Sequence, residues 1–270
     1  MTAHPDDESL GMGGALARYA EEGVGVYLVC ATRGENGRCG DGRKRPPPEE
    51  VGRIRERELR AAAGELGIRE VTLLGYPDGA LDRADPREAT ARIARQLRRI
   101  RPQVVVTFGP EGAYGHPDHV AICQLATAAV VSAAGPGGRE STSAEEPHQV
   151  SKLYYMAWPP NKWAAYQAAF RDLKSVVDGV ERRAVPWPDW AVTTVLDTRS
   201  WWPRVWRAVC CHQSQLAIYA KLEHLPAHEH EYLWGSQEFY RVFSLVNGGR
   251  HREDDLFAGL RGRAGREGVE

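Results

Sequence analysis

The feature that most constrains the fold of this chain is a regular alternation, over residues 24–108, of short β-branched runs with longer helical patterns. Val24 to Ala31 reads as a strand. Glu49 to Leu66 places Ile54, Leu59, Ala62, Ala63 and Leu66 on one helical face, with charges on the other. Val71 to Leu74 is again a strand, Ala89 to Ile100 a helix, and Gln103 to Phe108 an apolar run of the kind buried on both faces. A further alanine-rich helical pattern, Leu10 to Glu22, precedes the first run. Strands separated by helices predict an α/β fold, a mostly parallel sheet flanked by helices. Residues 1–134 are expected to form this core, and 135–150, rich in Gly, Pro, Ser, Thr and Glu without period, a linker or surface loop. Residues 151–270 are expected to complete the same domain and its substrate site as a smaller α/β extension. It would hold strands at Leu153 to Trp158, Ala191 to Val195 and Phe239 to Val246, a helix over Trp201 to Leu216, and a frayed tail from Arg261.

Parallel sheets gather ligands at the carboxyl ends of their strands, and two polar motifs carry the chemistry. The first is Thr2-Ala3-His4-Pro5-Asp6-Asp7-Glu8, the second Tyr114-Gly115-His116-Pro117-Asp118-His119. His4 and Asp7, with the distant His119, offer the nitrogen and oxygen donors that a catalytic zinc takes, leaving a fourth position open. A carboxylate beside such a site serves as general base. Asp6 fits: on an extended backbone its side chain leaves on the side opposite to Asp7. Pro117 suits the first turn of a helix through Val120 to Leu125, which presents His116 and His119 on one turn. His119 is assigned to the metal, and His116 to holding an oxyanion or protonating a leaving amine. Asp118 can orient a histidine through its second ring nitrogen.

Ala3-His4-Pro5-Asp6-Asp7-Glu8 together with His116-Pro117-Asp118-His119 resembles the PIG-L/LmbE family of zinc-dependent N-acetylglucosaminyl deacetylases. Relatives of that family include deacetylases and amidases of the mycothiol and bacillithiol pathways, and the likeness runs from the N-terminus to about residue 130. It implies a Rossmann-like fold and a zinc ion, or another divalent metal such as Fe2+, on His4, Asp7 and His119. It further implies Asp6 as base, His116 as an aid to the transition state and Tyr114 as a hydrogen-bond donor to the oxyanion, an aromatic loop anchor being the plain alternative for Tyr114. Three more segments are similar to family patterns. Thr32-Arg33-Gly34-Glu35-Asn36-Gly37 would face Arg33 and Glu35 toward substrate, with a solvated loop as the equal alternative. In Arg55-x-x-Glu58-Leu59 the likeness gives Arg55 a contact to the sugar, against an exposed helical pair. Gly75-Tyr76-Pro77-Asp78-Gly79 makes Asp78 an acceptor for a substrate hydroxyl, against a simple Pro-Asp-Gly turn. His212-Gln213-Ser214-Gln215 resembles a segment bordering the family's active site, although nothing in its spacing makes His212 a ligand. Relatives carry an apolar strand before the first motif, whereas only Met1 to Ala3 precede His4 here.

Composition narrows the remaining options. A net charge of −1 without a basic block argues against nucleic acid and anionic membranes as partners. No apolar run approaches the roughly 20 residues of a membrane span, so the protein is expected in the cytoplasm. The five cysteines (Cys30, Cys39, Cys123, Cys210, Cys211) lack Cys-x-x-Cys spacing and are read as reduced. Gly11-Met12-Gly13-Gly14 does not follow a strand with dinucleotide-binding spacing, which leaves a nucleotide-binding oxidoreductase weakly supported. Cys39 to Pro48 reads as a mobile loop beside the site. The tryptophan cluster from Trp158 to Trp206 suits core, oligomer contact or a roof over the substrate. His224, His228 and His230 among glutamates suit a polar loop better than a second metal. The expected function is zinc-dependent removal of the acetyl group from an N-acetylglucosamine-type small-molecule conjugate. The alternatives are a zinc amidase acting on a thiol conjugate or other non-sugar amide, and a metal-dependent binding protein without turnover. A homo-oligomer is compatible with either.

Overall fold

A computed structural model describes residues 1–40, 46–136, 146–170, 173–183, 185–217 and 220–261. Helix α1 (Asp7–Glu21) begins three residues before the apolar period announces it, because Asp7 and Glu8 occupy its first turn, where the helix dipole favours carboxylates. Strand β1 (Tyr27–Thr32) pairs in parallel with β2 (Glu70–Tyr76) through the crossover helix α2 (Pro48–Leu66), which Gly67 ends in a left-handed conformation at φ 74°. Helix α3 (Pro86–Ile100) is capped by Asp85, whose carboxylate accepts from the amides of Arg87 and Glu88. Strand β3 (Val104–Thr107), the short turn α4 (Gly112–Gly115) and α5 (Pro117–Ala134) complete the first half.

The second half adds β4 (Lys152–Met156), α6 (Pro160–Ala169), a hairpin of β5 (Lys174–Val177) and β6 (Val180–Arg183), then β7 (Thr194–Asp197), α7 (Trp202–Cys211), α8 (Ala220–Glu223), α9 (Ala227–Trp234) and β8 (Ser236–Ser244). The sheet order is β3-β4-β8-β7, with β3 and β4 parallel and β8 antiparallel to both of its neighbours. The expected parallel sheet therefore holds through β4, and antiparallel pairing takes over beyond it.

The short N-terminus does not cost the sheet its centre. The amide of Thr2 donates to Val29 O (3.0 Å), Ala31 and Thr32 donate back to Thr2 O and Ala3 O (3.0 Å each), and the Met1 amino group donates to Val106 O (2.7 Å). Residues 1–3 thus lie between β1 and β3, and His4 leaves at the carboxyl end. A single core packs Met12, Ile93 and Ile122 with Leu153, Trp234 and Phe239, so both halves share it.

Several sequence expectations change. The helix expected over 201–216 ends at Cys211, and Gln213 to Gln215 forms one 3-10 turn. The expected polar loop around His230 is helix α9. His230 is buried there, stacked on Trp206 with centroids 4.5 Å apart and with Nε2 2.8 Å from Leu222 O. The β5–β6 hairpin turns on Asp178 and Gly179, both at positive φ, as a two-residue turn of this twist requires. The loop expected at 39–48, the linker at 135–150 and the tail from 261 fall in part outside the described residues (41–45, 137–145 and 262–270).

Candidate active site

The first motif is a tight turn rather than an extended segment. Asp6 has φ 109° and ψ −27°, so the opposite orientation of Asp6 and Asp7 comes from a left-handed residue and not from strand alternation. Asp7 Oδ2 closes the turn by accepting from the amides of Ala3 (3.1 Å) and His4 (2.8 Å). Its other oxygen lies 3.3 Å from His119 Nε2. His4 Nδ1 is 3.1 Å from His119 Nε2 and 3.7 Å from Asp7 Oδ2. Ligand bonds of about 2.0–2.2 Å to a tetrahedral ion give donor separations of roughly 3.3–3.5 Å. His4 Nδ1 and His119 Nε2, 3.1 Å apart, lie close to that spacing, and Asp7 borders each of them through a different oxygen, so the donors fit a metal in type and gather near one point; His4 and His119 also cluster with His116.

The surrounding charge supports a cation at that point. His4 Nε2 lies 3.1 Å from Asp118 Oδ2 and 3.0 Å from Asp78 Oδ1, so Nε2 carries a hydrogen and Nδ1 faces His119. Burial opposes charge on His4, but the hydrogen bonds to Asp118 and Asp78 and the nearby Asp7 outweigh it and raise the pKa to about 10. Burial likewise opposes the Asp7 carboxylate, yet His119 and His4 hold its pKa far below the usual range. Three buried carboxylates thus demand positive charge between the two histidines, whether a proton or an ion.

Asp118 is fully buried. Its oxygens also accept from the amides of Gly79 (2.7 Å) and Leu81 (3.0 Å), fastening the β2 turn to α5. Asp78 accepts from the Asn36 amide (2.8 Å), and its own amide donates to Glu35 Oε1 (2.8 Å). Burial would raise the Asp78 pKa, but His4 brings it down to about 2.

His116 caps α5 by accepting the Asp118 amide on Nδ1 (3.2 Å), which leaves Nε2 as its donor. Burial and the neighbouring His4 and His119 push its pKa down to about 3, so the ring is neutral. Tyr114 stands edge-on to His116 and His119, with centroids 5.9 and 5.3 Å away. Burial, with Asp7 and Asp6 nearby, raises its pKa and keeps the phenol a donor.

Arg55 is 4% exposed, which removes the surface-pair alternative. Its Nη2 donates to Asp6 Oδ2 (3.0 Å) and its Nη1 to Gly34 O (2.8 Å), so it clamps the first motif to the loop after β1 while lining the cavity. Arg33 stands apart from the others: half-exposed, it pairs with Glu56 on α2 (2.9 Å) and is not among the residues lining the cavity, as the solvated-loop alternative has it.

These groups open on a cavity of about 400 Å³. Its lining is polar at His4, Asp6, Asn36, Arg55, Asp78 and His116 and aromatic at Trp158, Trp163, Tyr166, Phe170 and Phe108, the last stacked on His119 with centroids 4.0 Å apart. Two of the clustered tryptophans therefore line the cavity; Trp202 and Trp206 pack on His230 instead. Asn36 and Gln215 line the cavity from segments expected near the site, and Trp158 and Trp163 from the cluster read as suiting a roof, whereas Tyr166 and Phe170 had been given no part; the density of aromatic residues from Tyr154 to Phe170 was the available signal for them.

A metal-binding cluster at the carboxyl ends of parallel strands, with a clamped carboxylate beside it, defines a metal-dependent hydrolase of the LmbE-like α/β class. The profile described as GlcNAc-PI de-N-acetylase (PIG-L) matches residues 1–130, and the chain belongs to this family. It is 36% identical over 301 residues to a 1D-myo-inositol 2-acetamido-2-deoxy-alpha-D-glucopyranoside deacetylase of Kineococcus radiotolerans, covering 96% of this chain and 81% of that protein. An enzyme of the same name from Thermomonospora curvata is 32% identical, covering 96% and 95%. The fold is shared with an N,N'-diacetylchitobiose deacetylase from Pyrococcus horikoshii, with a TM-score of 0.68, 21% identity and coverage of 89% and 81%.

Proposed function

We propose that the chain hydrolyses the N-acetyl amide of an N-acetylglucosamine-type conjugate in the cytoplasm, with His4, Asp7 and His119 as ligands of a divalent ion, zinc in the first instance. The observation that carries this reading is the convergence of those three donors beside Asp6 in one cavity. When bound, such an ion supplies Lewis acidity toward an amide carbonyl and toward water. The remaining work belongs to the protein. Asp6 takes the proton of the attacking water at a carboxylate oxygen, and Arg55 keeps that carboxylate ionised and aimed. Tyr114 and His116 donate to the oxyanion that forms as the carbonyl carbon becomes tetrahedral. The protonated Asp6 returns the proton it took from water to the departing amine, while the neutral His116 ring remains a hydrogen-bond donor through Nε2. Asp118 holds His4 in the tautomer whose Nδ1 faces the ligand cluster.

Asp78 and Asn36 in the polar lining suit sugar hydroxyls, and the names of the similar enzymes support an amino-sugar conjugate as substrate. The aromatic lining favours a second reading. Trp158, Trp163, Tyr166 and Phe170 offer stacking surfaces, which suits an amide whose other part is not a bare polyol, such as a thiol conjugate. We also read residues 1–134 and 151–270 as parts of one domain, on the strength of their shared core. The five cysteines, read as reduced from their spacing, suit a cytoplasmic setting. Among the described residues no helix is long and apolar enough to cross a membrane. The test of the metal assignment is stoichiometry. Protein loaded with zinc and dialysed should retain about one ion per chain, and His4→Ala about none. Equal retention by both would remove the assignment.

A further inference from the structure

One buried ion pair beside the site has no part in the chemistry described above. The side chains of Glu8 and His212 are both fully buried, and they meet across 204 residues of sequence with His212 Nε2 2.9 Å from Glu8 Oε1. The same oxygen accepts from Ser9 Oγ (2.6 Å), and Glu8 Oε2 accepts the amide hydrogen of Asp6 (3.0 Å). Buried ion pairs are a poor source of stability, since apolar residues of the same volume often serve as well or better. A positional role explains this pair where stability does not.

The position at stake is that of Asp6, held in a left-handed conformation that residues with a side chain rarely adopt. Its carbonyl is fixed from one side, accepting from the amides of Ser9 (3.1 Å) and Leu10 (2.9 Å) in the first turn of α1. Its amide is fixed from the other side by Glu8. With both ends of the residue held, the carboxylate has one direction left, toward Arg55 and the cavity. His212 in turn belongs to a clamped turn. Ser214 donates from its amide and its hydroxyl to the two oxygens of Glu58 on α2 (2.7 Å each), and Gln215 lines the cavity.

We infer that Glu8 and His212 form a positioning pair that locks the backbone of Asp6 and so aims the carboxylate assigned as base; the inference rests on that assignment. Through His212, which does not line the cavity, the C-terminal part of the chain acts on the reaction centre.

A double-mutant cycle on the full, metal-loaded protein tests it. His212→Ala should lower kcat by about 10- to 100-fold, with KM and bound metal unchanged. His212→Gln, whose amide can donate to the same oxygen, should recover most of the loss. In the Asp6→Asn background, His212→Ala should cost less than about twofold, because the group it aims is gone. Loss by the same factor in both backgrounds would overturn the inference, as would an unaffected kcat in folded His212→Ala. Glu8→Gln carries the same cycle if His212→Ala does not fold, with a loss of about fivefold expected in the parent and none in Asp6→Asn, and equal losses again overturning it. Full activity of Asp6→Asn alone would instead remove the base assignment, and the positioning role with it.

Discussion

Two clusters of buried charge in this molecule share ingredients and differ in what they face. Around Glu253, in the second half, every donor is matched. Glu253 Oε1 accepts from Lys152 Nζ, Arg241 Nη1 and Asn247 Nδ2 (2.7 Å each), and Oε2 from the Tyr154 hydroxyl (2.6 Å) and Thr194 Oγ1 (3.0 Å). This cluster ties β4, β7 and β8 to the segment after β8. Around His4, carboxylates and histidines crowd together without a lysine among them, in a strained turn, and open on a cavity. Saturated buried charge locks a fold. Buried charge held unbalanced beside a cavity is available for chemistry.

Substitutions can break or sharpen this division. The largest effect on turnover belongs to His4→Ala, which should lose both the metal and activity down to background, read by metal analysis and product release together. Asp6→Asn should keep the metal and the melting temperature while turnover falls roughly 10²- to 10⁴-fold. A similar fall in stability would merge the two clusters in kind. Glu253→Gln should do the reverse, lowering stability by about 3 kcal/mol in denaturant titrations while kcat per folded molecule stays the same.

The same residue carries a pH signature. Burial would raise the Glu253 pKa, but Lys152, Tyr154 and Asn247 lower it from 4.5 to about 2. A depressed carboxylate stabilises the fold above its unfolded pKa, so this contribution is complete above pH 4.5 and disappears as pH falls toward 2. Acid unfolding of Glu253→Gln should lack that part of the transition. The smallest effect belongs to Arg33→Ala. An exposed ion pair on the outer face of α2 should shift stability by less than about 0.5 kcal/mol and KM by less than about twofold.

The two clusters also differ in how they could be read. The residues of the first sit in two short motifs, so residue type and spacing single out His4, Asp6, Asp7, Asp118 and His119, which the fold brings to one cluster. The second is assembled from positions 152, 154, 194, 241 and 253, and nothing local links them. Local geometry is what the motifs left open. The opposite orientation of Asp6 and Asp7 was argued for an extended backbone, and the turn that separates them instead follows from Asp6-Asp7-Glu8 as a helix start. The likeness of its segment did not decide between cavity and solvent for Arg33, which pairs with Glu56 on α2. The parallel strands and crossovers were legible from their periods, whereas α6 was hidden by its length of ten residues and its weak amphipathic pattern. His212 was noticed by likeness only, since its partner Glu8 lies at the other end of the chain.

Acetate release from a panel of N-acetylglucosamine conjugates tests the account most directly, using metal-loaded protein beside chelated protein and Asp6→Asn. Release that requires both the metal and Asp6 is the predicted result, and the ranking of conjugates would name the group that the aromatic lining accepts. Release that persists in Asp6→Asn would remove Asp6 as the base, and its absence from every conjugate while the metal stays bound would contradict the deacetylase reading.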